Sequence, residues 1–569
     1  MTVRRWVRGI LVVIGFAVAI FAAVVVGLWV WFNLQLLDSG GPLRPRQAAY
    51  DVRRYDLAVT MDPERRFLSG SNRATLVAIG ALDAVELQLD DLLSVRAARV
   101  DGAPARYAHR NGLVTVTLAR TWSAGERHAV EIDYDGHPKV AAFPPWLDGM
   151  VWERTPSGAP WLGVTTEGDG ADDWWPCKDH PSDEPDEGMS IALTVPSSLV
   201  GLANGHKVGE TVNGDGTTTT RWEVSYPINN YAVSFNAGPY VPIEASYHGV
   251  DGTSERTIVF WAIPEHEQQA RRLWSREGAR ILEVLGRRFG EYPFWRDKYW
   301  VAESPYLGME HQTLVAYGDR FKDNEYGFDE LLLHETAHEW WGNKVTARDW
   351  ADFWIHEGFG TYAEALYVLD TLGEAKYLEY MARLRRGTRN RAPIVQGRDL
   401  LSKDAYNGDI YAKGACVLHT LKWLIGDDDF FAALRQFIDA GHPDACRLVT
   451  TAEFEELVAE IAGDEMPWFW ERYLRRAELP RWTLARRPAG QDGEVIALSW
   501  DDAGFELPLP VTVDGVARRV EMPRGRAEFD VRRGAAVEVD PRGLVLARSS
   551  VETSPADADA DGKHLDGPS

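Results

Sequence analysis

From about Tyr50 to Tyr240 apolar and polar residues alternate. "YDLAVTM", "AVELQLD", "GLVTVTLA" and "HAVEIDYDG" each place an apolar side chain at every second position, with Asp-Gly, Ala-Gly and proline turns between them. A period of two puts those side chains on one face of a strand. Residues 45–245 therefore predict an antiparallel β domain, a saddle or a sandwich. Near Glu265 the period lengthens. "EHEQQARRLWSREGARILEVLGRRFG" is amphipathic at helical spacing and ends in glycine, a helix-terminating residue. Helical patterns then prevail through an α-rich unit over residues 246–478. After Pro480 alternation returns in "EVIALSW" and "LPVTVDGVARRVEM", which predicts a small β sandwich over residues 479–548. The final stretch, 549–569, is acidic and nearly free of apolar side chains, the composition of a disordered tail. The fold class is multidomain α+β.

The N-terminus carries a different pattern. No charged residue occurs from Gly9 to Leu37, which exceeds the roughly 20 apolar residues that span a bilayer. The small residues suited to signal cleavage lie mid-run, and the run ends in the bulky "LWVWF". Residues 1–40 thus predict one uncleaved transmembrane helix. Arg4, Arg5 and Arg8 precede it, which favours an inside N-terminus and a folded body on the extracytoplasmic side. The formal net charge of −24 argues against a nucleic-acid partner. Three scattered cysteines, Cys177, Cys416 and Cys446, form no CxxC pair and allow at most one disulfide.

The chemistry concentrates in "HETAHEWWGNKVTARDWADFWIHEG". His334 and His338 stand four apart, so one helix face presents both imidazoles to a single ion. Glu335 lies beside them, within reach of a water on that ion. Glu357 supplies a carboxylate from a second helical pattern. Two histidines, one carboxylate and an open fourth position describe a catalytic zinc site with one Zn2+ per chain. His356 would point away from Glu357 on a helix. Glu364, seven residues after Glu357, shares its face and could orient a ligand histidine.

This segment resembles the zinc region of the M1 aminopeptidases, matching the family pattern at His334, Glu335, His338, Trp340, Gly342, Asn343, Val345, Trp350, Glu357, Gly358, Phe359 and Tyr362. The resemblance implies His334, His338 and Glu357 as ligands and Glu335 as general base. Upstream, "YLGMEHQTLVAYG" is similar to the family's G-x-M-E-N exopeptidase motif at Met309 and Glu310, with Leu307 where glycine is usual and His311 where asparagine is usual. Glu310 is then the candidate for the substrate ammonium, and Gly308 keeps a small residue that lets a peptide come close. "TTEGDGADDWWPCKDHPSDEP" resembles the stretch that supplies a second amino-binding residue, here Glu167. "GDIYAKGACVLHTL" resembles the segment carrying a phenol for the developing oxyanion, which makes Tyr411 the candidate and Tyr406 its alternative.

The resemblance, over roughly residues 45–548, implies a β saddle, a thermolysin-like catalytic domain and a small β sandwich, without the long helical domain that caps the cleft in larger members. The cleft should be more open unless a partner or second copy covers it. The implied function is a membrane-anchored zinc aminopeptidase acting on peptides with a free N-terminus. The alternatives are a zinc endopeptidase with relaxed N-terminal recognition, or an inactive membrane-tethered binding protein of the same fold. Preferred residue and oligomeric state are not encoded in any motif.

Overall fold

The computed structural model describes residues 38–439, 446–502 and 504–551. The expected membrane span and most of the acidic tail lie outside the described residues. Among the described residues no helix is long and apolar enough to cross a membrane.

The N-terminal β domain is built on an eight-stranded sheet, accompanied by a four-stranded and a three-stranded sheet. Its long first strand, Tyr50–Asp62, pairs antiparallel with Phe67–Ala78 on one side. On the other side it pairs in parallel with Met189–Pro196. The all-antiparallel expectation fails at that pair because the intervening chain builds other strands and re-enters the sheet in the same direction. Alternation along Tyr50–Asp62 buries Tyr50, Val52, Tyr55, Leu57, Val59 and Met61 in the domain core, which also takes in Trp174, Trp175 and Trp222.

The α-rich unit opens on a five-stranded sheet whose first strand is Val241–Tyr247. This strand lies mostly before the boundary expected at residue 246, but its backbone pairs along its whole length with Arg256–Ala262. Helix α1 (Glu267–Phe289) packs against this sheet and ends at Gly290 with φ +100°. Helix α2 (Glu330–Ala337) is capped by Asp329, whose Oδ1 accepts the Leu332 N–H at 3.0 Å. Helix α3 (Trp354–Leu372) and helix α4 (Asp409–Ile425) cross where Gly358 meets Gly414. A Cβ on Gly414 would lie 2.9 Å from the Gly358 Cα, so only two glycines allow this approach. The crossing brings Glu357 and Tyr411 to the same cleft.

The C-terminal unit is a four-stranded sheet and a three-stranded sheet. The hairpin Leu509–Val513/Val516–Val520 turns at Asp514-Gly515, both with positive φ (49° and 82°), the primed turn favoured by Asp-Gly. Its core continues into that of the α-rich unit: Tyr473 and Phe505 pack edge to face with centroids 5.8 Å apart. The last strand, Arg548–Val551, runs parallel to Arg481–Leu484. The sandwich therefore extends past residue 548, into the start of the expected tail, because that backbone still has a strand to pair with. All three cysteines are free thiols, so the single disulfide left open by their number is not formed.

Candidate active site

Helix α2 ends within the motif: His338 is its C-cap and keeps right-handed helical backbone angles. His334 and His338 consequently remain on one face, with their Nε2 atoms 3.1 Å apart. The partners of the other ring nitrogens fix the tautomers. His334 Nδ1 donates to Glu364 Oε1 at 2.7 Å, and His338 Nδ1 donates to the Trp341 carbonyl at 2.9 Å. Each Nε2 is therefore left with its lone pair. Glu357 Oε2, from α3, completes the group at 3.4 Å from His334 Nε2 and 3.7 Å from His338 Nε2. That oxygen is buried and has no hydrogen-bond partner. Two lone pairs facing one another beside an orphaned carboxylate oxygen suit a cation, and the donor set is that of zinc. Glu364 is held in turn by the Tyr380 hydroxyl, which also bonds Glu330, the partner of Arg383. His356 does not join this group. Its Nε2 accepts the Ala347 N–H at 2.8 Å, and its Nδ1 lies 3.1 Å from the Tyr231 hydroxyl.

The cleft is a cavity of about 410 Å³ bounded by all nine residues expected from sequence: Glu167, Gly308, Met309, Glu310, His334, Glu335, His338, Glu357 and Tyr411. Tyr406 also faces it, and its hydroxyl is hydrogen-bonded to that of Tyr411. A larger groove bounded by Arg348, Asp349, Arg398 and Arg475 contains none of these nine residues. Gly308 sits against Glu335: a Cβ there would lie 2.7 Å from Glu335 Oε1. The glycine thus makes room for the candidate base, a role beyond the peptide approach expected of it.

Acidic groups crowd together here. Ligand atoms of Glu167, Glu310 and Glu357 lie within 4.8 Å of one another. Burial pushes the Glu167 carboxyl well up, reinforced by Glu310 and Glu357. Burial likewise raises Glu310, against the pull of His338. It raises Glu335 well above the usual range, against the pull of His334. Carboxyls crowded in a poorly solvated cavity favour positively charged guests.

The loop bearing Glu167 is pinned from several sides. Asp148 Oδ2 accepts the Gly168 and Asp169 N–H groups at 2.6 and 3.0 Å, and the Ser402 hydroxyl donates to the Gly168 carbonyl at 2.5 Å. Glu167 Oε1 itself is buried without a partner. Glu310 is fixed by the Tyr231 hydroxyl, which lies 3.0 Å from its Oε1, and by Asn343 Nδ2, which donates to its backbone carbonyl at 2.9 Å. His311 makes no hydrogen bond through either ring nitrogen and is fully buried. Its departure from the motif therefore adds no polar contact to the site. Sequence reasoning missed Tyr231, Asp148 and Trp146. Asp148 and Trp146 line the cleft from the N-terminal domain, where no motif marks them.

Residues 279–473 match the peptidase family M1 domain. Among characterised relatives, aminopeptidase B of Mus musculus is 26% identical over 414 residues, covering 66% of this chain and 60% of the relative. The human aminopeptidase B is 26% identical over 402 residues, covering 64% and 58%. The chain thus spans about three-fifths of the length of these relatives. Among solved structures, the M1 zinc metallopeptidase of Deinococcus radiodurans superposes with a TM-score of 0.63 at 27% identity, covering 76% of this chain and 95% of that one. A mutant of that enzyme, 28% identical here with the same TM-score, was solved with a Tyr-Ser-Ala substrate.

Proposed function

We propose that this chain, which carries a peptidase family M1 domain over residues 279–473, is a zinc aminopeptidase that removes the N-terminal residue of peptides. The observation that carries the reading is the meeting of two acidic groups, Glu167 and Glu310, with the His334–His338–Glu357 trio in one cavity. The trio suits a divalent ion; the acidic pair suits an ammonium a short distance away. That separation selects the first peptide bond of a chain with a free amino terminus.

Bound by His334, His338 and Glu357, a zinc ion would supply Lewis acidity, polarising the scissile carbonyl and acidifying water. Glu335 takes the proton from the attacking water on its carboxylate and returns it to the departing amine nitrogen. The Tyr411 hydroxyl donates to the carbonyl oxygen as that oxygen gains charge. Tyr406, bonded to Tyr411, orients that hydroxyl. Glu310 and Glu167 anchor the ammonium and fix the register. Membrane attachment belongs to the same proposal: the uncharged run from Gly9 to Leu37 supports a single anchor, and Arg4, Arg5 and Arg8 before it favour a catalytic body on the extracytoplasmic side.

The test is hydrolysis of a panel of aminoacyl fluorogenic substrates by the purified protein, with zinc content measured in parallel. The reading expects about one zinc per chain and activity abolished by chelator and restored by zinc. Protein that binds no zinc, or hydrolysis indifferent to chelator, overturns it.

A further inference from the structure

We propose that Tyr231 and His356 are positioning residues for Glu310, locking its carboxylate in the orientation that receives the substrate's N-terminal ammonium; this rests on the aminopeptidase reading of Glu310. The hydrogen bonds run in one direction. The Ala347 N–H donates to His356 Nε2 at 2.8 Å, so that nitrogen carries a lone pair and the ring's proton sits on Nδ1. Nδ1–H, 3.1 Å from the Tyr231 oxygen, then donates to it. With its lone pair engaged, the Tyr231 hydroxyl has its own proton left for Glu310 Oε1, 3.0 Å away. Every member is almost fully buried: Tyr231 2%, His356 1% and Glu310 3% exposed. Water does not compete for these bonds, and a buried phenol donating to a carboxylate is a strong directional contact.

The chain also crosses a domain boundary. Glu310 and His356 belong to the catalytic unit. Tyr231 comes from a short turn of the N-terminal β domain, where Asn229 Oδ1 accepts its backbone N–H at 3.2 Å. Its ring packs against Trp350 and Phe353 of the catalytic unit, with centroids 6.0 and 6.4 Å away. Ammonium recognition is thereby tied to the docking of the two domains. His356 sits next to Glu357, yet its Nδ1 meets Tyr231 and its Nε2 takes the Ala347 N–H, and neither bond reaches the proposed metal group.

The test is calorimetric binding of leucine hydroxamate and its N-acetyl form to the zinc-loaded full-length protein and its variants. The two probes differ only in the amine. In the wild type the free-amine probe binds more tightly, and Glu310→Gln removes that preference. Tyr231→Phe, which deletes one oxygen, weakens the free-amine probe about tenfold to a hundredfold, the loss expected for one bond to a charged group. It leaves the acetylated probe and the zinc content unchanged. His356→Phe behaves likewise, and His356→Asn, which restores a donor near Nδ1, recovers most of the preference. If Glu310→Gln loses the preference and Tyr231→Phe keeps it, the positioning proposal is overturned and the aminopeptidase reading stands. If Glu310→Gln keeps the preference, the assignment of Glu310 fails and both fall together. Should His356→Phe not fold, Tyr231→Phe decides alone.

Discussion

Glu335 Oε1 occupies the space that a side chain on Gly308 would need: an added Cβ would lie 2.7 Å from it. The candidate base and the strand Gly308–Met309 are fitted to one another, and that strand leads directly to Glu310. The segment that packs against the candidate base also carries the candidate ammonium ligand. Gly308→Ala should force Glu335 aside and lower kcat about a hundredfold, the penalty of a misplacement on the order of 1 Å. Zinc content should stay at the wild-type level. Unaltered kcat in a folded Gly308→Ala protein would show that this contact does not position the base.

Glu364 holds His334 from the side of the ring facing away from the proposed metal group, so it should tune metal binding through that imidazole. It accepts the Nδ1 proton at 2.7 Å and so keeps Nε2 a donor to metal. Glu364→Ala should weaken zinc affinity about tenfold to a hundredfold, measured by competition with a chromogenic chelator. Equal affinity in variant and wild type would make the bond incidental.

The two phenols are expected to divide their labour. Tyr411→Phe removes the donor to the developing oxyanion and should lower kcat about a hundredfold to a thousandfold with little change in KM. Tyr406→Phe removes only the group bonded to it and should cost less. The opposite order would make Tyr406 the donor.

Asp148 gives a pH dependence of stability. Burial raises its pKa from the ordinary 3.8 to about 6. Between those values the folded protein holds a proton that the unfolded chain has released. Stability from this group is therefore full below pH 4 and is lost as pH rises through 6. The loss amounts to at most about 3 kcal/mol, because each pH unit separating the folded and unfolded titrations is worth roughly 1.4 kcal/mol. Asp148→Asn cannot ionise and should be gaining on the wild type from pH 4 to pH 7 in denaturant midpoint. A difference that stays constant across that range would contradict the assignment.

The metal group was legible because its geometry is local. Spacing of four fixes His334 and His338 on one face wherever the helix lies, and spacing of seven puts Glu364 on the Glu357 side of α3. Strand existence was legible from alternation, but strand direction was not: the parallel pairing of Tyr50–Asp62 with Met189–Pro196 leaves no trace in a period of two. Tyr231 was illegible for a related reason. It stands 79 residues before Glu310 and meets it only because two domains dock. Gly308 was legible as a small position, while its tight fit against Glu335 required the packed structure. His311 drew notice as a departure from the motif, but its ring takes no part in hydrogen bonding, and Asn343 holds the Glu310 carbonyl.

The central claim is that one cavity holds both a metal group and an ammonium pocket, so that the amino terminus sets which bond is cut. Comparing kcat/KM of the zinc-loaded protein for a peptide with a free N-terminus and for the same peptide acetylated tests this most directly. The account predicts cleavage of the first bond of the free peptide and a loss of at least about a hundredfold on acetylation, as an ammonium held by two buried carboxylates requires. Equal cleavage of both peptides, or cleavage at internal bonds, would contradict it.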